Sequence, residues 1–186
     1  MPLSRWMRKH SPSDRLTRSV QITPTTPDDA AAIADVRIAA AERLTRDFGD
    51  GHWSAHTNEA SVLRDMKASR VLAIRDGRAI VGTLTLQKKK PWAIDLVYFT
   101  PCDKPLYLIN MAVAPDRQRT GVGRALLAAA LSTARSFPAD TIRLDAYDCE
   151  AGAGGFYRKC GYTQVGAKSY RGVPLLYFEL MTATGS

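Results

Sequence analysis

A mixed α/β domain of about seven strands and four helices is the fold class that this sequence predicts, and three observations carry it. Two pairs of extended runs each flank a short turn signal, Asp76-Gly77 and Arg171-Gly172, as hairpins do. One nearly all-apolar run, Leu106 to Val113, reads as a strand covered on both faces. Between them the apolar period lengthens to that of a helix over Gly121 to Ser136. A chain of 186 residues can bury the core of one domain but not of two full-sized ones. With 45% apolar and 24% charged residues it has globular composition, which excludes wholesale disorder. No apolar run approaches the roughly 18 to 20 residues of a membrane-spanning helix.

The elements follow in order. Ser19 to Ile22 predicts a short first strand. Thr26, Pro27 and Asp29 then supply an N-cap, a helical first position and a capping-box acid, so a helix follows, with Ile33, Val36, Ala40 and Leu44 on one face. Asp47 to His56 is a loop by composition. Thr57 caps a second helix through about Ser69 that carries Val62, Leu63 and Met66. Val71 to Arg75 and Ala79 to Leu86 form a hairpin about Asp76-Gly77, which suits a type I′ turn. Ala93 to Phe99 is another extended run, followed by a Pro-rich loop and the strand ending at Val113. In the helix from Gly121, Val122, Leu126, Ala130 and Ala134 recur at four-residue steps. Thr141 to Tyr147 alternates as a strand, and Ala151 to Lys159 is a short helix ended by Gly161. Tyr162 to Tyr170 and Val173 to Met181 close the domain as a hairpin. The domain therefore runs over residues 19–182, and residues 1–18 form a basic, disordered tail.

Lys and Arg exceed Asp and Glu by 26 to 18, a net charge of +8, which favours an anionic partner without naming its class. Arg5, Arg8, Lys9, Arg15 and Arg18 against Asp14 place half of that surplus in the tail. The tail reads as solvated chain, or as an Arg-rich transit segment, and has no signal-peptide core. Cys102, Cys149 and Cys160 lack the spacing of a zinc site or a disulfide framework, which points to a reducing compartment, read as the cytoplasm, and to no metal.

The chemistry sits in Met111-Ala112-Val113-Ala114-Pro115-Asp116-Arg117-Gln118-Arg119-Thr120-Gly121-Val122-Gly123-Arg124, a strand leading through a basic turn into a helix. The first N–H groups of a helix lack internal partners and its dipole places partial positive charge there, so this turn is an anion site. Gly121 and Gly123 let a diphosphate approach the backbone, and Arg117, Arg119 and Arg124 add charge. A lone GxG can also do no more than loosen a turn beside solvated arginines. No GxxxxGK[ST] is present, and Gly152, Gly154 and Gly155 do not complete a GxGxxG.

Gln118-Arg119-Thr120-Gly121-Val122-Gly123 resembles the Q/R-x-x-G-x-G/A signature of the GNAT superfamily of N-acetyltransferases. Downstream, Phe156-Tyr157-Arg158-Lys159-Cys160-Gly161-Tyr162 resembles that family's aromatic-Tyr-x-x-x-Gly-aromatic stretch. The resemblance covers about residues 19 to 182. It implies a mostly antiparallel sheet split in a V between strands four and five, with acetyl-CoA in the split. It implies that the backbone of Met111, Ala112 and Val113 pairs with the pantetheine arm. The amides of Arg119, Thr120, Gly121, Val122, Gly123 and Arg124 are then expected to hold the pyrophosphate, with Gln118 also on the cofactor side. Phe156 and Glu150 are expected on the cofactor side, although many relatives carry Asn where this chain has Glu150. Tyr157 matches the tyrosine that protonates the departing thiolate, a task suited to a phenol that is neutral at pH 7.

The implied reaction moves acetyl from acetyl-CoA to a primary amine of a small molecule or peptide by direct attack in a ternary complex. Relatives often carry a basic carboxylate on the fourth strand. Here that strand offers only Tyr107 and Asn110 as polar side chains, which leaves Asp95, Asp148 or Glu150 acting through water, or an amine that arrives neutral. Cys149 as a nucleophile is disfavoured against its reading as a small buried residue. His52, Trp53, Trp92, Tyr98 and Tyr170 are candidates for the acceptor pocket, and Asp47 or Asp50 for attraction of a cation. Two other classes compete: a non-catalytic acyl-CoA sensor, prompted by the missing fourth-strand carboxylate, and a nucleic-acid binder, prompted by the charge. The second lacks a recognition helix or aromatic platform, so neither nucleic acid nor membrane is an expected partner. A homodimer is compatible with the resemblance.

Overall fold

In a computed structural model, residues 21–51, 53 and 57–182 are described. The tail, the first two residues of the predicted first strand, and His52 lie outside the described residues. Strand β1 is Gln21–Pro24. A 3-10 turn at Pro27–Asp29 carries the capping box of Thr26 and Asp29 and leads into α1, Ala30–Phe48. Helix α2 spans Glu59–Ala68 and is capped by Asn58, whose side chain accepts from the Ser61 amide, rather than by Thr57. Strands β2 (Arg70–Asp76) and β3 (Ala79–Gln87) follow, then β4 (Pro105–Val113), α3 (Val122–Ser136), β5 (Thr141–Tyr147), α4 (Gly154–Lys159), β6 (Thr163–Tyr170) and β7 (Val173–Met181).

The seven strands form one sheet in the order β1-β2-β3-β4-β5-β7-β6. Every pairing is antiparallel except β4 with β5. One face packs on α3 and α4, where Leu84, Leu126, Ile142, Leu144 and Phe178 are fully enclosed. The opposite face has two separate covers. Helices α1 and α2 close it over β2 and β3 through Ile33, Val36, Val62, Val71 and Ala73. The segment Ala93 to Phe99 closes it over β4, β5 and β7. That segment is not a strand, as its extended pattern had predicted. Two of its apolar residues serve as plugs: Ile94 and Phe99 are buried, whereas Leu96 and Val97, in a 3-10 turn capped by Asp95, are exposed, and the Tyr177 hydroxyl donates to the Ala93 carbonyl.

Turn geometry divides the two hairpins. Asp76 pairs with Ala79, so the β2–β3 turn is Gly77-Arg78, and only Gly77 has positive φ, which is not the type I′ pattern. At the β6–β7 turn both Arg171 and Gly172 have positive φ, as type I′ requires.

Candidate active site

The site exists because two parallel strands part. β4 and β5 pair only from Pro105 to Tyr107 against Thr141 to Arg143. Beyond that point the Leu108–Val113 edge of β4 has no strand partner on the β5 side. A register shift against β3, with Asn110 at φ 53°, bends the strand there. The second half of β4 is therefore half-buried or exposed rather than covered on both faces, and a cavity of about 440 Å³ opens between it, β5 and α1. The α1 stripe divides accordingly. Ile33 and Val36 enter the core, while Ala40 and Leu44 line the cavity.

At the end of β4 the chain turns through Pro115–Arg117, and Thr120 Oγ1 donates to the Arg117 carbonyl at 2.6 Å. Arg119 at φ 63° and Gly121 at φ 96° are both left-handed, an arrangement that gathers backbone N–H groups into a concave nest. Gly121 is the N-cap of α3 and provides no side-chain cap, and the first turn carries no acid. Arg119 and Arg124 are exposed beside it. Arg117 is not: its guanidinium is bound to Asp76 at 2.9 Å and ties the turn to the β2–β3 hairpin. Gln118 Nε2 donates to the Val113 carbonyl at 3.3 Å, joining the turn to the strand end.

Helix α4 brings the aromatic motif to the same place. A Cβ built on Gly123 stands 3.1 Å from Phe156 Cζ and 3.5 Å from Met111 Cε, so α3, α4 and β4 meet where only hydrogen fits comfortably. Tyr157 is buried among Phe156, Tyr162 and Phe178, at centroid separations of 5.5 to 5.7 Å, and its hydroxyl donates to Met111 Sδ at 3.7 Å. Burial, with smaller contributions from the charges of Asp145 and Cys160, pushes the phenol well above its ordinary range.

Across the cavity, Arg37 of α1 pairs with Asp65 at 2.8 Å, and Asn110 donates to the same carboxylate at 3.1 Å. Arg37 also donates to Thr85 at 3.0 Å. Trp53 sits edge-on to Tyr147 at 5.5 Å. On the β5 wall is Asp145, whose carboxyl burial pushes above the usual range. Of the residues predicted for the acceptor pocket, Trp53 lines the cavity. Trp92 does not, being 83% exposed, and Tyr98 and Tyr170 pack with the plug near Tyr177 and Val173. Asp47 is paired with Arg43, and Asp50 is not on the lining. The predicted bases are elsewhere too: Asp95 is held by Lys168, and Asp148 and Glu150 are exposed and off the lining. Cys149 is exposed, not the small buried residue that it had been taken for. Arg37, Asp65 and Asp145 were missed. Asp145 had a signal, since the alternation of Thr141 to Tyr147 puts Arg143, Asp145 and Tyr147 on one face of a strand bordering the predicted split.

The sequence profile of the Acetyltransferase (GNAT) family matches residues 37–162, which contain the parted strands, the turn and α4. The chain belongs to the GNAT acetyltransferase family. As a member it is an acyltransferase whose acyl donor is acetyl-CoA. Among solved structures, ribosomal-protein-S18-alanine N-acetyltransferase from Escherichia coli is 17% identical, with a TM-score of 0.65 over 90% of this chain and 97% of that one. The Salmonella typhimurium acetyltransferase yncA, solved with its cofactor acetyl-CoA, is 17% identical with a TM-score of 0.66, over 90% and 96%. An aminoglycoside 6'-acetyltransferase type Ii is 16% identical with a TM-score of 0.67, over 89% and 99%. These likenesses are of fold. None of the curated proteins compared with this chain matches it.

This GNAT domain's own residues fit acetyl-CoA. An unpaired strand edge can receive an amide-bearing arm, and the uncapped start of α3 with its nest suits a diphosphate. Met111 and Ala112 line the cavity, and Phe156 closes on Gly123. Glu150 is exposed just beyond the end of β5. Among the described residues no cluster of three His, Cys, Asp or Glu could hold a metal, and no helix is long and apolar enough to cross a membrane.

Proposed function

We propose that this enzyme transfers acetyl from acetyl-CoA to a primary amine of a small molecule or peptide, by direct attack with both substrates bound. The observation that carries the reading is that Met111, on the unpaired β4 edge, receives the Tyr157 hydroxyl and also stands against Gly123 at the start of α3. In this reading the backbone of Met111 to Val113 holds the pantetheine arm, the amides of Arg119 to Arg124 hold the pyrophosphate, and Phe156 flanks the thioester. Bound acetyl-CoA supplies an activated acetyl group. A backbone N–H near Val113 polarises the thioester carbonyl, and proximity supplies much of the rate. Tyr157 gives its proton to the departing sulfur; its buried phenol stays neutral throughout the working pH range, which suits a donor.

Residues 19–182 constitute the catalytic unit in this account, with residues 1–18 outside it. Two relatives by fold bear names that specify a ribosomal-protein alanine and an aminoglycoside, which supports an amine acceptor while leaving its class wide. The three free cysteines support a reducing, cytoplasmic setting. A sensor without catalysis loses its motive, because the cavity holds a carboxylate on β5 in place of the one missing from β4.

Tyr157→Phe tests the assignment. Steady-state thiol release is expected to show turnover lowered at least tenfold, in keeping with the roughly 10²–10⁴-fold typical of positioned acid–base groups, with the Kd for acetyl-CoA within about twofold of wild type. Equal turnover in both proteins removes Tyr157 from the mechanism.

A further inference from the structure

Among the described residues, Asp145 is the charged side chain of the cavity without a counter-ion. Its antiparallel partner in β7 is Tyr177. The neighbouring cation on its own face, Arg143, is turned onto the Thr100 carbonyl, the Cys102 sulfur at 3.0 Å and the Phe99 ring. Arg37, across the cavity, is already bound to Asp65. Among the described residues Asp145 forms no ion pair, and its carboxyl accepts only from its own backbone. An ionised carboxylate withdrawn from water is costly without a partner. The side open to a partner is the cavity, whose lining includes the Trp53–Tyr147 edge-to-face pair and the apolar α1 residues Ala40 and Leu44.

We propose that Asp145 receives the ammonium group of the acceptor and takes its proton, and that the acceptor carries one primary ammonium on an apolar or aromatic stem. The proposal rests on the acetyl-transfer reading above. One unpaired carboxylate matches one positive charge. Aromatic faces beside it add cation–π attraction, and the alanine and leucine wall suits a stem rather than further charges. The proton accounting closes. An N–H bond of the ammonium breaks and its proton passes to the Asp145 carboxylate. The freed lone pair forms the C–N bond while the C–S bond breaks, and the sulfur takes the Tyr157 proton. A second amine proton restores the phenol, and Asp145 releases its own to solvent, leaving amide, free thiol and one proton.

Among the described residues, the groups that face Asp145 are Tyr147 on its own strand, Tyr177 from β7, Tyr157 from α4 and the neutralised Arg37–Asp65 pair from α1 and α2. None of the tyrosines titrates on the acid side of neutrality, so the low-pH limb of kcat/KM belongs to Asp145. That limb should lie above the usual carboxylate range, because burial favours the protonated form.

The test uses the full chain with tyramine, which has one ammonium on an aromatic stem, and spermine, a polycation. Wild type is expected to acetylate tyramine with kcat/KM at least tenfold above that for spermine. Asp145→Asn is expected to lower kcat/KM for tyramine at least 100-fold at pH 7, through both kcat and KM, and to erase the low-pH limb. Acetyl-CoA affinity should stay within about twofold and the melting temperature should confirm folding. Asp145→Glu, which keeps the carboxylate, should retain the limb and recover part of the rate. Retention of rate and limb by Asp145→Asn overturns the assignment, as does a preference for spermine or no turnover of tyramine by a wild type that binds acetyl-CoA. Failure of wild type to bind acetyl-CoA counts instead against the acetyl-transfer reading beneath it.

Discussion

Burial acts in the same direction on Tyr157 and Asp145 and has opposite consequences for them. It holds the phenol in the neutral form that a proton donor needs, at no cost near pH 7. It penalises the carboxylate in the charged form that a base needs. A carboxyl whose pKa is raised on folding adds stability below its ordinary value of 3.8 and loses it as pH rises through the raised value. Asp145→Asn should therefore melt at a higher temperature than wild type at pH 7. The gain should shrink toward zero in thermal scans approaching pH 4; a lower melting temperature at pH 7 contradicts the burial argument. At this scale the positions of the motif residues were legible, because the glycine turn at the start of α3 and the aromatic run on α4 are set by local sequence. Asp145, Arg37 and Asp65 were harder to find, since their roles depend on which charges the fold pairs and which it leaves alone. Arg117 shows the same limit: as a residue type it belongs with the phosphate-binding arginines, and the fold commits it to Asp76.

Elements were legible wherever the apolar period was long. The four-residue steps of α3 all point inward, with Val122, Leu126, Ala130 and Ala134 buried. The misread places are those where tertiary contacts decide. Ala93 to Phe99 has a strand's composition, yet among the described residues it pairs with no strand, and Ala93, Ile94 and Phe99 stop a gap beside Tyr177 while Leu96 and Val97 face outward. β4 is apolar enough for a doubly covered strand, yet its second half lies open because β5 diverges. The junction of α3, α4 and β4 gives an element-scale prediction. In Gly123→Val a methyl-bearing Cβ meets Phe156 at 3.1 Å and Met111 at 3.5 Å, so the added bulk displaces the Phe156 ring from its seat against the start of α3. Acetyl-CoA affinity should fall at least tenfold in a direct titration, with destabilisation of about 1–3 kcal/mol in urea unfolding. Wild-type affinity in that variant would mean that the close contact is incidental to binding.

For the whole molecule, charge and topology converge on one region. The formal +8 has half its surplus in residues 1–18, and of the turn's arginines Arg119 and Arg124 remain exposed beside an uncapped helix start. The sheet is continuous from β1 to β6 apart from the single parallel junction that parts, and the cavity at that junction is lined by both Tyr157 and Asp145, while the α3 turn follows directly from the end of β4. The diphosphate should then dominate binding of the donor. Isothermal titration of acetyl-CoA against S-acetylpantetheine, which shares the thioester and arm but lacks the diphosphate, measures this directly. The account predicts one site per chain for acetyl-CoA and at least 100-fold weaker binding of S-acetylpantetheine. Comparable affinities for the two, or no binding of acetyl-CoA, would contradict it.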